Sequence, residues 1–325
     1  MISSTDLEQL WKTLNYTGNS EFEFTRIDRG EAIPEISIGF NSLLHRCLLL
    51  ELPKHHNIDF QKSIKQNLTL SFFKDTGYIV LELSDQSFTD LFDDLIISIY
   101  QHIYRLFDVE EYSKIFIQMF YKWSEFFDDK KSEKLSQDQI KGLFGELFVL
   151  KDLIKDVEAF QLNDLLSSWK GPYDKGHDFE LDTKNIEVKT KEFTKTSVKI
   201  SSEHQLEQEA DKPLELLVLS VETNTIEGLS LSSLLEQTKT LVVNKLGDYS
   251  IVLTALLQKN ITSKNIYQYD NFRFKVIEEK IYDTTKEKFP KLTKTNTPKA
   301  IGSLQYTLHL NYINDYIISI RKFDD

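Results

Sequence analysis

The sequence predicts a mixed α+β or α/β protein of more than one domain, and three observations carry that expectation. A chain of 325 residues, 40 % apolar and 28 % charged, is too long for one compact core and apolar enough to fold. Runs with strand-like composition crowd into residues 35–84 and give way to helix-period patterns. From Ser136 a second pattern begins, in the order helix, three strands, helix, strand. The expected divisions are an α+β domain over 1–135, a core over 136–245 and a mixed, lysine-rich extension over 246–325.

In chain order, EISIGF, RCLLLEL, LTLSFFK and GYIVLELS are rich in β-branched and aromatic residues and separated by polar or Gly-containing stretches, which makes a small sheet. Phe88, Leu91, Phe92, Leu95, Ile96, Ile99 and Ile103 then recur at steps of three and four, and Ile115, Phe116, Met119, Phe120 and Trp123 repeat the pattern. Two amphipathic helices are expected over one sheet face. The charged stretch FDDKKSEKLS, 127–136, is the best linker in the chain.

The next helix opens at Ser136, whose hydroxyl caps the first turn while Gln139 completes a capping box. Ile140, Leu143, Phe144, Leu147 and Ile154 form its apolar stripe, and Glu146 lies on the flank of that stripe. HDFEL, NIEVKTK and SVKIS read as three short strands in a meander, with Asp182-Thr183-Lys184-Asn185 turning between the first two. Ser202 with Gln205 opens a short helix through about Ala210, PLELLVLSVE is a strongly apolar strand, and a further helix starts at Ser230.

Composition narrows the function classes. The net charge of −12 argues against a protein that coats nucleic acid by bulk electrostatics, although a local basic channel remains compatible with it. A single cysteine, Cys47, rules out an internal disulfide and points to a reducing cytoplasm. No leader and no membrane span are expected, because MISSTDLEQLWK lacks the basic-then-apolar order and no uncharged apolar run is long enough. There is no Gly-rich phosphate loop, no dinucleotide fingerprint and no nucleophile context around a serine or Cys47.

The chemistry-bearing constellation is Asp178 on one strand and Glu187-Val188-Lys189 on the next. Alternation puts Glu187 and Lys189 on one face, and a hairpin register sets Asp178 beside them. Two carboxylates and an ammonium on a buried face cost several kcal/mol of desolvation unless something uses them. Magnesium takes one or two carboxylates with waters and a phosphate oxygen, and a lysine beside it stabilises charge on phosphorus.

These residues, with Glu146 on the preceding helix, resemble the restriction-endonuclease-like nucleases that bear the PD-(D/E)XK motif. GLFGELFVL at 142–150, Trp169-Lys170-Gly171-Pro172, HDF at 177–179, IEVKTK at 186–191, SSEHQL at 201–206 and EKFPKLTKTNTPKAIGSLQY at 287–306 are similar to a bacterial family of PD-(D/E)XK-motif proteins found among restriction and phage-defence genes. The resemblance implies an αβββαβ core and a Mg²⁺-dependent DNA endonuclease, with Mn²⁺ as a substitute. Asp178, Glu187 and Glu146 would ligate metal, Lys189 would assist the attack of water, and Gln205 would support the site. His177 stands where the motif's name has proline. The implied partners are DNA, other defence proteins including an ATPase, and a second copy of the chain. The rival reading is a non-catalytic DNA-binding or scaffolding subunit of a multiprotein defence complex.

Residues 183–199 carry a local excess of three positive charges, and 271–299 an excess of four. Lys191, Lys195, Lys199, Arg273 and Lys275 are therefore the candidate DNA contacts, with Trp169 as a base-stacking residue or a loop anchor. Phe272 to Lys275, FRFK, reads as a single-strand contact or a half-buried edge strand.

Overall fold

The computed structural model describes residues 2–323 except positions 29, 31, 55, 57, 59, 61, 129–133, 175, 210, 211, 224, 225 and 302. The chain divides into two compact units, Met1–Lys131 and Ser132–Asp325. Positions 129–133 of the expected linker fall outside the described residues. Among the described residues no helix is long and apolar enough to cross a membrane.

The first unit comprises helix α1 (Ser4–Thr13), six strands, then α2 (Thr89–Ile103) and α3 (Val109–Trp123). The strands are β1 (Phe22–Arg26), β2 (Glu35–Asn41), β3 (Arg46–Glu51), β4 (Lys62–Ile64), β5 (Leu68–Phe73) and β6 (Tyr78–Leu83), in the sheet order β1-β2-β3-β6-β5-β4. The four expected strands and both helices are present; β1 and the three-residue β4 are additions on the two edges. Arg46 donates to both oxygens of Asp93 on α2 at 2.9 Å, and Trp11 donates to Asp93 Oδ1 at 2.8 Å, so the Arg46-Leu48-Leu50 face turns toward α1 and α2.

The opposite face is rolled. Four strand spacings of about 4.8 Å separate β1 from β5, too far for two phenylalanines to meet across a flat sheet. Phe22 on β1 nevertheless meets Phe73 on β5 edge to face, with ring centroids 5.5 Å apart. Phe22, Phe24, Phe73 and Tyr78 pack over a small core of Cys47, Leu49 and Val80 on this face.

The second unit begins with α4 (Gln137–Asp156), closed at its start by the expected capping box: Gln139 N–H donates to Ser136 Oγ at 3.3 Å and Ser136 N–H to Gln139 Oε1 at 2.9 Å. Then come α5 (Leu162–Ser168), β7 (Phe179–Glu180), β8 (Asn185–Glu192), β9 (Ser197–Ile200), β10 (Leu214–Thr223), β11 (Leu229–Ser230), α6 (Leu231–Asn244), α7 (Ser250–Gln258), β12 (Arg273–Asp283), β13 (Tyr306–His309) and β14 (Ile317–Lys322). The main sheet runs β11-β12-β10-β8-β7, with β14 beside β12; β8 and β10 are parallel.

Three expectations are corrected. The meander stops at β8, because Val198 and Ile200 of β9 pair with β13 and turn into a core with Leu216, Val218 and Leu308. Residues 202–206 form turns rather than a helix, since Gln205 Oε1 accepts the Ser201 N–H at 2.7 Å and closes the chain locally. The FRFK string enters β12, which is interior to the sheet, and its Phe274 is fully buried with its ring 5.0 Å from Phe144.

Val188 and Thr190 face α4, where Gly145 lets the helix backbone approach Thr190 Oγ1 closely. A Cβ at position 145 would strike that oxygen. Gly145→Ala is expected to force α4 off β8, costing about 2 kcal/mol and lowering the melting temperature of this unit by roughly 4–8 °C. Unchanged melting would show that the helix has room to spare.

Candidate active site

The site forms where β7 ends. Only Phe179 and Glu180 pair with β8, opposite Ile186 and Asn185, so the next backbone donor on that edge, Val188 N–H, has no strand partner. Asp178 completes the ladder with its side chain: Oδ2 accepts Val188 N–H at 2.7 Å. On its other side the Asp178 carbonyl accepts Lys170 N–H at 2.8 Å and Gly171 N–H at 3.1 Å, which brings the 169–171 segment against the carboxylate.

Glu187 and Lys189 share a face, as alternation requires, and Lys189 Nζ donates to Glu187 Oε1 at 2.7 Å. Register pairs them with Leu216 and Val218, so they stand beside the β9–β13 core while Glu146 comes from α4. Glu146 takes the Trp169 indole N–H on Oε2 at 2.9 Å. Gly171 touches both helix and strand acids: a methyl group there would collide with Glu146 Oε2 and stand 2.8 Å from Asp178 Oδ1. Glu146, Asp178, Glu187 and Lys189 thus form one cluster around an open sheet edge, with Glu187 only 1 % exposed and Glu146 and Asp178 half-buried.

Burial sets the proton affinities. It drives Glu187 up to about 8, with Asp178 adding to the rise and Lys189 opposing it. Burial and then Asp178 hold Glu146 well above the usual carboxylate range, and burial also raises Asp178 against the pull of Lys189 and the Val188 N–H. Burial works against the Lys189 charge, but Glu187 and Asp178 outweigh it and hold the ammonium above its ordinary value. Three acids crowd one buried base, an arrangement that lacks positive charge.

A second cation faces the cluster. Lys259, at the end of α7, lowers the pKa of both Glu146 and Asp178 and is held by the exposed Asp174 at 2.5 Å. Sequence reading gave no sign of it, because neither periodicity nor spacing brings position 259 near 146.

The other expected residues are placed differently. Trp169 is 1 % exposed, so its ring offers no face to a base; the loop-anchor reading holds, and its N–H serves Glu146. Gln205 is engaged with Ser201 rather than with the carboxylates. Lys191 Nζ lies 3.4 Å from the Glu192 carbonyl, Lys195 and Lys199 are exposed, Arg273 is half-buried and Lys275 pairs with Glu227 at 3.4 Å. His177 is buried, donates from Nε2 to the Glu207 carbonyl at 2.9 Å and accepts from Asn185 Nδ2 at 3.1 Å, which fixes the strand entry before Asp178.

The family model described as "Putative PD-(D/E)XK family member, (DUF4420)" matches residues 7–311. The chain belongs to that family. Its α+β fold is restriction-endonuclease-like, and membership suggests a nuclease. Nothing among the curated proteins or the solved structures matches the chain.

The donor set fits the divalent cation that such a family implies. Among the described residues no three His, Cys, Asp or Glu side chains are gathered as a ready metal cage. Asp178 and Glu187, beside the unpaired end of β8 and with a surplus of buried negative charge, are the two carboxylates that would suit a magnesium-type ion whose remaining positions belong to water and phosphate.

The linkage has a definite sign. An acid whose folded pKa is raised binds its proton more tightly when folded, so stability falls as pH rises from the unfolded value toward the folded one. For Glu187 that window runs from about 4.5 to about 8. In chelator, the melting temperature is expected to fall across this range, and Glu187→Gln should flatten the slope. Equal slopes in the two proteins would show that Glu187 ionises freely.

Proposed function

We propose that the chain hydrolyses DNA phosphodiester bonds with a divalent cation, Mg²⁺ or Mn²⁺, held by Asp178 and Glu187. The observation that carries this reading is the surplus of acid at the open β8 edge, with Lys189 held beside Glu187. When bound, the cation supplies charge neutralisation at the phosphate and lowers the pKa of water.

The protein groups divide the remaining work. Lys189 keeps its proton, so it acts as a fixed positive charge toward the phosphate oxygens rather than as a base. Trp169 occupies Glu146 Oε2, which leaves Oε1 as the atom to orient an incoming water and take its proton. The water oxygen bonds to phosphorus as the P–O bond to the departing strand breaks, and solvent protonates the leaving oxygen. In this reading Lys259, tethered by an exposed aspartate, would exchange that partner for a backbone phosphate.

Lys195 and Lys199 extend the phosphate track in this reading. The expected setting is a restriction or phage-defence system, with DNA as substrate and with partner proteins, an ATPase or a second copy of the chain among them, delivering or positioning it.

The test is cleavage of supercoiled plasmid in Mg²⁺ or Mn²⁺ at low salt. Wild type should nick or linearise the plasmid, and Asp178→Ala and Lys189→Ala should each lose about 10²-fold or more. Equal cutting by all three would overturn the assignment. In a separate binding titration, Lys259→Ala should reduce the slope of log affinity against log salt by about one. An unchanged slope would remove Lys259 from the DNA path.

A further inference from the structure

β12 ends at Asp283 and β13 begins at Tyr306, and the described residues between them form neither helix nor strand. A connection that long inside a compact unit is uncommon and is usually either functional or disordered. This one is fastened along its length. Phe289 is buried and meets the Tyr316 ring edge to face at 5.1 Å, and the Tyr316 hydroxyl donates to the Lys288 carbonyl at 2.5 Å. The Tyr306 hydroxyl accepts Leu292 N–H at 3.2 Å. Glu207 accepts the Thr295 N–H at 3.2 Å and the Thr295 hydroxyl at 2.7 Å, and Glu203 accepts Leu304 N–H at 3.2 Å. The segment is a strap tied to the rest of its unit.

The strap also holds the whole positive excess of residues 271–299. Lys286, Lys288, Lys291, Lys294 and Lys299 stand there against Glu287 alone. Lys286 is engaged by the Asp315 carbonyl and the Tyr316 ring, and Lys291 is half-buried. Lys288, Lys294 and Lys299 are exposed, and among the described residues no carboxylate is ion-paired with them. In a chain of net charge −12, three such ammonium groups on a fastened backbone suit an external polyanion.

Register decides where that polyanion would lie. Asp283, where the strap leaves β12, is level with Glu215 and through it with Ile186, next to Glu187. Lys275 is level with Glu222, seven residues farther along β10 and roughly 23 Å away at 3.3 Å per residue. The strap therefore departs beside the acid cluster, whereas Arg273 and Lys275 do not. Tyr306, which holds Leu292, is near enough to Lys189 for that ammonium to oppose the rise that burial imposes on its hydroxyl pKa. Glu207, which holds Thr295, presents its carbonyl to His177 Nε2 at 2.9 Å, and His177 immediately precedes Asp178.

We propose that the 286–299 strap grips the backbone of the DNA substrate through Lys288, Lys294 and Lys299, and that Glu207 is the positioning residue that holds the strap beside the site. Naming DNA as the polyanion rests on the nuclease reading. A site with three acids repels phosphate, and the strap supplies the attraction that the cluster lacks.

Anisotropy titrations of a labelled DNA duplex with the full chain, in chelator and over a range of salt, test both parts. Replacing the three lysines together, Lys288→Gln, Lys294→Gln and Lys299→Gln, should reduce the slope of log affinity against log salt by about two to three. Arg273→Gln with Lys275→Gln should leave the slope unchanged. Glu207→Ala removes a negative charge, which by charge alone would tighten binding; a loosened strap should instead weaken it by about fivefold or more. Glu207→Gln, which keeps an acceptor for Thr295, should bind near the wild type. No binding by the wild type, an unchanged slope in the triple variant, or a slope lost with Arg273 and Lys275 instead would overturn the strap. Equal or tighter binding by Glu207→Ala would overturn the role of Glu207. Asp178→Ala should keep the wild-type slope, so the two readings fail separately. Binding through the strap without plasmid cutting would sink only the cleavage reading, and cutting with an unchanged slope in the triple variant would sink only the strap.

Discussion

A backbone donor without a strand partner organises the second unit. Because β7 ends after two residues, Val188 N–H would be left unpaired at a partly buried edge, and an orphaned amide there costs about 1–3 kcal/mol. The Asp178 carboxylate fills that role. In doing so it fixes one acid at the sheet margin, and everything else in the site is placed around it: Glu187 and Lys189 by strand alternation, Glu146 by the helix that Gly145 allows close, and Gly171 by its N–H on the Asp178 carbonyl. Structural and chemical demands fall on the same atoms. The carboxylate that ends the ladder is also the one to which the proposed function gives a cation.

The sequence made visible what local physics decides. Strand alternation put Glu187 and Lys189 together, and Ser136 with Gln139 marked the start of α4 before any fold was known. The apolar run at 214–223 could only be a buried strand. What stayed hidden depends on contacts between distant residues. β9 pairs with β13, more than a hundred positions later, and no alternation pattern encodes that choice. The Ser-x-x-Gln spacing at 202–205 suits a helix cap, yet the same side chains close a tight turn when no apolar stripe follows. Trp169 has the composition of a stacking residue and the position of a buried donor. Lys259 reaches the acids only because α7 packs beside the 171–173 turn.

The two units contrast in how they handle unpaired polarity. The second concentrates it at a sheet edge, with burial high enough to lift the acids' proton affinity. The first disperses it along a rolled face, where half-buried hydroxyls and carboxylates stand among phenylalanines that cover a small core of Cys47, Leu49 and Val80. A sheet that curls far enough for its first and fifth strands in spatial order to touch turns its own unpaired face into a concavity without needing a second layer.

The interior position of β12 bears on how the chain is made. All four residues of the acid cluster lie between positions 146 and 189, but β10 is flanked on its far side by residues 273–283, which leave the ribosome about fifty residues after β10 itself. Throughout that interval the nascent protein carries an uncovered strand of Leu and Val, the kind of edge that pairs indiscriminately with other chains. That edge stays without its antiparallel partner until residues 273–283 arrive. A chain stopped before residue 273 would leave that edge of β10 without its partner.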